Sequence, residues 1–229
     1  GTGTFVVSED ATIDGGTSAN PYKTNFAGTL KIADGKTLQL GDDKATDAFD
    51  LTAVEDVIIG SDSWLKLRQI GMSLNNVTTT GGTAHLYFND TYSENVDSMH
   101  ITGVTTIVAN SVLEVDSGWK NHLSIDKLAG TGSLHMTSGS ENDKRHYYIG
   151  GTAEGSTLNQ IQLDVGTLNV NGDTSVTKIT GGNGSNVVVA EGTTLSIEGG
   201  GDKRNNSQVY ALDNRGTINL KAANGDMRF

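Results

Sequence analysis

The chain has five histidines, His85, His100, His122, His135 and His146, and none is spaced as an H-x-x-x-H or H-E-x-x-H pair. Zinc sites built on one helix need that spacing to turn both rings to one face, so local sequence gives zinc chemistry no anchor. Asp42-Asp43 is the one Asp-Asp pair. Paired carboxylates cleave glycosidic bonds when one protonates the leaving oxygen and the other acts as base or nucleophile. No Gly-His-Gly or Arg-x-Lys accompanies the pair, and Arg68, Arg145, Arg204, Arg215 and Arg228 lack the acidic surroundings of a lyase base. Asp42-Asp43 therefore reads as a solvated loop. Serines are many, but neither G-x-S-x-G nor Gly-Asp-Ser-Gly occurs, which leaves covalent nucleophilic catalysis unsupported.

Gly181-Gly182-Asn183-Gly184-Ser185-Asn186-Val187-Val188-Val189 approximates the calcium nonapeptide G-G-x-G-x-D-x-U-x, with Asn186 in place of the Asp. Calcium in that roll is shared between tandem copies, and one copy reads better as a Gly-rich turn feeding a strand. Three intervals mix aromatics with charge: 85–100 with Tyr87, Phe88 and Tyr92; 139–160 with Lys144 to Tyr148; and 201–210 with Lys203, Arg204 and Tyr210. Lys144, Arg145 and His146 form a positive cluster on an acidic chain, followed at once by Tyr147 and Tyr148. These five residues are the candidate binding site. Arg145 would give bidentate hydrogen bonds to a carboxylate or sulfate, and one tyrosine would stack on a sugar or fill a partner's pocket. No cofactor, catalytic residue or metal ligand is assigned.

The elements that must carry these residues come from one repeated pattern, apolar-polar-apolar, in most copies after a small polar residue. It appears as Thr37-Leu38-Gln39-Leu40, Trp64-Leu65-Lys66-Leu67, Val112-Leu113-Glu114-Val115, Ser133-Leu134-His135-Met136, Thr167-Leu168-Asn169-Val170 and Thr194-Leu195-Ser196-Ile197, with outlying copies at Thr29-Leu30-Lys31-Ile32 and Thr217-Ile218-Asn219-Leu220. Most copies recur after 21 to 27 residues once Leu86 is taken as a degenerate copy between Leu65 and Leu113. The interval from Leu134 to Leu168 is longer, so roughly ten residues within 139–160 are expected to protrude from the coil.

Alternation with period two is the mark of a half-buried strand. A second apolar stretch precedes most copies, as in Val57-Ile58-Ile59, Ile161-Gln162-Leu163 and Val187-Val188-Val189, across turn formers such as Ala33-Asp34-Gly35 and Ala190-Glu191-Gly192. The repeating unit is strand, tight turn, strand, longer return. No window has the i, i+3, i+4, i+7 apolar spacing of a helix. Short strands at a rung-like period predict an all-β solenoid, in which each rung buries its apolar face against its neighbours. Nine or ten rungs would make a rod about 45 Å long. Leu30, Leu38, Leu65, Leu113, Leu134, Leu168, Leu195 and Ile218 are expected to share one interior. Their neighbours Lys31, Gln39, Lys66, Glu114, His135, Asn169, Ser196 and Asn219 form an outward strip suited to solvent.

Composition narrows the function. With 27 Asp+Glu against 16 Lys+Arg the formal net charge is −11, and tracking a phosphate backbone needs the opposite balance, so no nucleic-acid partner is expected. The absence of cysteine removes disulfide and thiolate-metal frameworks and is compatible with bacterial export. No run approaches the roughly 18 apolar residues of a spanning helix, so membrane insertion by this segment is not expected. The chain opens at Gly1 without an apolar signal segment and is expected to be one β-helix domain over 1–229, a piece of something longer.

Leu128-Ala129-Gly130-Thr131-Gly132-Ser133-Leu134-His135-Met136 resembles the L-x-G-x-G-x-L-x-L core of the autotransporter-associated β-strand repeat. Gly166-Thr167-Leu168-Asn169-Val170 and Gly192-Thr193-Thr194-Leu195-Ser196-Ile197 look like weaker copies, and Asn214-Arg215-Gly216-Thr217-Ile218-Asn219-Leu220 is similar to rungs of secreted haemagglutinin-like β-helices. The resemblance implies a single-stranded right-handed parallel β-helix from the passenger region of a Gram-negative surface or secreted protein. The function expected is a non-enzymatic rigid scaffold with an adhesin-like surface for host or mucin-type glycans or surface proteins. The alternative is a polysaccharide lyase or glycoside hydrolase on the same fold.

Overall fold

The computed structural model describes residues 2–14, 22–23, 26–41, 49–68, 72–88, 99–117, 122–137, 145–199, 207–221 and 227–228. Asp42-Asp43, Tyr92, Lys144, Lys203 and Arg204 lie outside the described residues. Every regular element among those described is a β-strand, and every registered pair among them is parallel, as is the isolated bridge between Leu128 and Thr152. Each rung sends one strand into each of two sheets. Ten strands follow one another in the first sheet, from Thr4–Val7 to Ala211–Asn214, and ten in the second, from Ala11–Ile13 to Thr217–Leu220. The fold is a parallel β-solenoid.

Burial follows the period-two pattern directly. Thr37–Leu40, Asp56–Ile59, Trp64–Leu67 and Thr194–Ile197 each alternate half-buried and buried. Leu30, Leu38, Leu65, Leu113, Leu134, Leu168 and Leu195 lie in one continuous core, and Ile218 packs partly buried against it. The corners between the sheets reuse one turn. Lys36 N donates to Ala33 O at 3.1 Å, and the same closure joins Ser111 to Val108, Ser156 to Ala153 and Thr193 to Ala190. Its third residue has positive φ, filled by Gly35 (68°), Asn110 (59°), Gly155 (74°) and Gly192 (76°), as a type II turn requires. Aspartates then stitch rung to rung: Asp10, Asp34 and Asp173 accept the backbone N–H of Thr37, Ser61 and Thr194 at 2.8 to 2.9 Å.

The expected rung assignment fails where it counts strands of the two sheets as one series. Leu134 pairs with Ile161 in the second sheet, whereas Leu168 pairs with Tyr147 in the first. Leu134 to Leu168 is therefore not one rung, and the described residues of 139–160 do not protrude. His146–Ile149 and Leu158–Leu163 are ordinary strands of successive sheets, joined through Gly150, Gly151, a bridge at Thr152 and the Ala153–Ser156 turn. Thr29–Ile32 likewise belongs to the first sheet, not with Thr37–Leu40. Both sheets carry the same apolar-polar-apolar signature, so periodicity alone does not tell one from the other.

The first sheet also changes track. Met99–Ile107 pairs through Met99–Ile101 with Met72–Leu74, and through Thr105 and Thr106 with Val77 and Thr78. A register shift between Ile101 and Val104 separates the two halves. Earlier rungs stack on the second half, and later ones from His146–Ile149 onward continue the first. Gly103 sits in the shift because a Cβ there would collide with the Asn76 side chain, whose Oδ1 accepts the Val104 N–H at 2.9 Å.

Candidate functional site

Strand alternation divides the predicted site residues 145–148. Arg145 is 5% exposed and Tyr147 1%. The Arg145 guanidinium donates from Nη1 to the Thr137 carbonyl at 3.1 Å and lies 3.8 Å from Asp116 Oδ1. Tyr147 fills the interior between Leu123 and Leu168. Both side chains are turned into the coil, Tyr147 being the one tyrosine of the pair that strand alternation sends inward. His146 and Tyr148 point outward. Their rings are 6.1 Å apart, and His122 on the preceding rung brings its ring within 5.1 Å of His146 and 6.3 Å of Tyr148. Ser124 lies between His100 and Tyr148 in the register, and His100 Nε2 is 2.6 Å from Asp126 Oδ1. This imidazole and phenol patch is the outer face of the first sheet.

A second outward cluster lies on the other sheet. Trp64, His85, Glu114, His135 and Gln162 occupy one column on successive rungs. Trp64 and His85 stack at 4.0 Å with planes 4° apart, and Lys66 Nζ sits 5.1 Å from the Trp64 ring centre. Glu114 reaches back to His85 Nδ1 at 3.1 Å and forward to His135 Nδ1 at 3.6 Å, while His135 Nε2 is 3.0 Å from Asp164. Gln162 donates to the same Asp164 oxygen at 3.1 Å, and Gln160 donates to Thr180 at 2.7 Å.

The expectation that Lys66, Glu114 and His135 are independent solvated positions is thus corrected. Parallel in-register stacking places unlike residues side by side about 4.8 Å apart, where they pair with one another. The signal lay in the sequence only as residues one rung apart, and reading it requires the register first. Asp116, in the adjoining column opposite Thr137, is held above the ordinary carboxylate range by burial, against the opposing Arg145 charge and with help from Glu114.

Gly181–Val189 forms a turn with Gly184 at φ 86° and the strand Ser185–Val189, in which Val187 and Val189 are buried. Among the described residues no three His, Cys, Asp or Glu gather at a spacing suited to a metal ion. Phe88 is in the core, Tyr87 lies outward with the Arg68 guanidinium 5.1 Å from its ring, and Tyr210 is exposed. No described helix is long and apolar enough to cross a membrane. Compared with known proteins, the chain matches no family model, no curated protein and no solved structure.

Proposed function

We propose that this chain is a non-enzymatic, rigid segment of a surface-exposed or secreted Gram-negative protein of the autotransporter-passenger kind. It acts as a scaffold and offers an adhesin-like surface to host or mucin-type glycans or surface proteins. The observation that carries this reading is the parallel stacking of ten successive strands in each of two sheets around one core among the described residues. Each rung contacts only its neighbours, and such a body resists bending while displaying side chains at fixed intervals. His146 and Tyr148 are the outward members of the predicted binding residues and sit with His122 on one face. A glycan and mucin array on the intact chain, repeated with Tyr148→Ala and His146→Ala, tests the surface. Binding lost in these variants supports the reading, and binding that ignores both moves the surface elsewhere.

Glu114, Asp116, His135 and Asp164 favour a second reading, cleavage of a polysaccharide by general acid–base catalysis on the second sheet. Release of new reducing ends from pectin, mucin or glycosaminoglycan that disappears in Asp116→Asn would establish it. Release of none from any of the three would retire this second reading for those substrates.

A further inference from the structure

One column of strands runs from the first rung to the last among the described residues. It starts at Thr4–Val7 and passes through Thr29–Ile32, Asp56–Ile59 and Asn76–Thr79 to the second halves of Met99–Ile107 and Leu123–Gly130. It leaves the first sheet by the bridge between Leu128 and Thr152, whose N–H donates to Asp173 O at 2.8 Å. From there it continues in the second sheet through Thr174, Thr194–Ile197 and Thr217–Leu220. Phe5 and Ile218 are thus the two ends of one inward row, which includes Leu30, Val57, Leu128 and Leu195, and Val7 and Leu220 end the row beside it. The apolar members between are buried, whereas Phe5 is 54% and Leu220 55% exposed. Both are inward positions left open because each terminal strand is paired on one side only among the described residues. Solenoids ordinarily close their end rungs with polar caps, and an unpaired strand edge is a template for another strand.

We propose that the two ends of the coil are complementary halves of one interface, and that copies of this chain stack head to tail, the first rung of one on the last rung of another. Three observations favour a second copy as the occupant. The register is continuous: extending the column places Thr4 on Thr217, Phe5 on Ile218 and Val7 on Leu220, as every rung between them is placed. The relief matches. At the first rung Phe5 is exposed and Val7 buried, while at the last Ile218 is partly buried and Leu220 exposed, so each open side chain meets the more sheltered one. The charges match as well. Lys221 follows Leu220 and pairs with Glu198 at 2.7 Å, and Glu9 lies just past Val7 and pairs with Lys36 at 3.4 Å. Stacking brings Lys221 beside Glu9 and extends the alternation of acid and base along the corner. The interface is heterologous and does not close on itself, so the product is a linear filament. It stands whether or not the outer faces bind glycans.

Sedimentation velocity of the intact chain over about 1 to 100 μM, in about 0.15 M salt to screen the net charge of −11, tests the stacking. The parent is expected to grow with concentration into rods whose length, seen by negative-stain microscopy, increases in whole multiples of one copy. Phe5→Lys removes the first-rung half of the interface and Leu220→Lys the last-rung half, so each variant alone should be monomeric. Mixed in equal amounts, they retain one intact half each and should form a one-to-one dimer that grows no further. Thermal unfolding checks that both variants fold. Glu9→Lys, at a side chain 86% exposed, sets like charges together at the junction and should weaken association about tenfold without a folding defect. A parent that stays monomeric throughout would overturn the proposal and leave the ends to some other occupant. So would growth that persists in both lysine variants, or a mixture of the two that never dimerises.

Discussion

Leu38, Leu65, Leu86, Val115, Met136 and Leu163 point inward from successive rungs of the second sheet, while Thr37, Trp64, His85, Glu114, His135 and Gln162 point outward from the residues just before them. The inner column repeats one chemical type, because close packing asks each rung for a similar apolar volume. The outer column mixes aromatic, imidazole, carboxylate and amide. Its members match their neighbours instead, aromatic on imidazole and imidazole on carboxylate. A solenoid thus specifies its inside by similarity and its outside by complementarity, and the two should respond differently to mutation.

The largest difference is expected from the core. Leu134→Ala and Leu168→Ala, although in different sheets, should each lower unfolding free energy by about 2 to 5 kcal/mol in chemical denaturation, because the freed volume does not collapse. Equal stability of either variant and the parent would break the idea of one shared interior. Arg145→Ala comes next. Loss of its charged hydrogen bond to Thr137 should cost about 1.5 to 3 kcal/mol, with ligand binding on the outer faces retained. If Arg145→Ala abolishes binding while leaving stability intact, the buried arginine has been misread.

The outer column should give smaller effects. A double-mutant cycle on Glu114→Gln and His135→Ala is expected to return a coupling of about 0.2 to 1 kcal/mol, while Ser196→Ala further along the same sheet should change stability by under about 0.5 kcal/mol. Zero coupling would turn the column back into independent surface residues. The smallest signal is a slope with pH. Asp116 is raised in the folded chain, so its contribution favours folding below the ordinary carboxylate range and is lost as pH rises through its higher folded value. Asp116→Asn should therefore flatten the stability curve across that window, as measured by thermal unfolding at several acidic pH values. An unchanged slope would remove burial of Asp116 from the account.

Much of this fold could be read from residues alone. Alternation in Trp64–Leu67 and Ser133–Thr137, and turn formers such as Ala190-Glu191-Gly192, announce stacked short strands without reference to any structure. What alternation leaves out is which sheet a strand joins. Ile161 and Leu168 carry the same local pattern, and only the two-residue link Asp164-Val165 between their strands shortens the return and places Leu168 beside Tyr147. The candidate site suffered from the same blindness. Arg145 and Tyr147 are as prominent in sequence as His146 and Tyr148, yet one residue of phase puts the first pair inside and the second outside. Partners such as Glu114 and His135, or His122 and His146, meet only after the chain has made a full circuit.

The track change in the first sheet bears on how the rod gives way under load. Pulled from its ends, a solenoid peels one rung at a time, since each rung is gripped only by the next. Met99–Ile107 and Leu123–Gly130 are gripped twice, along both halves of long strands that register on either side of the shift at Gly103. Peeling that starts at either end meets this doubled grip midway, so the stretch from Met99 to Gly130 is expected to resist being drawn out more than the singly gripped rungs beside it.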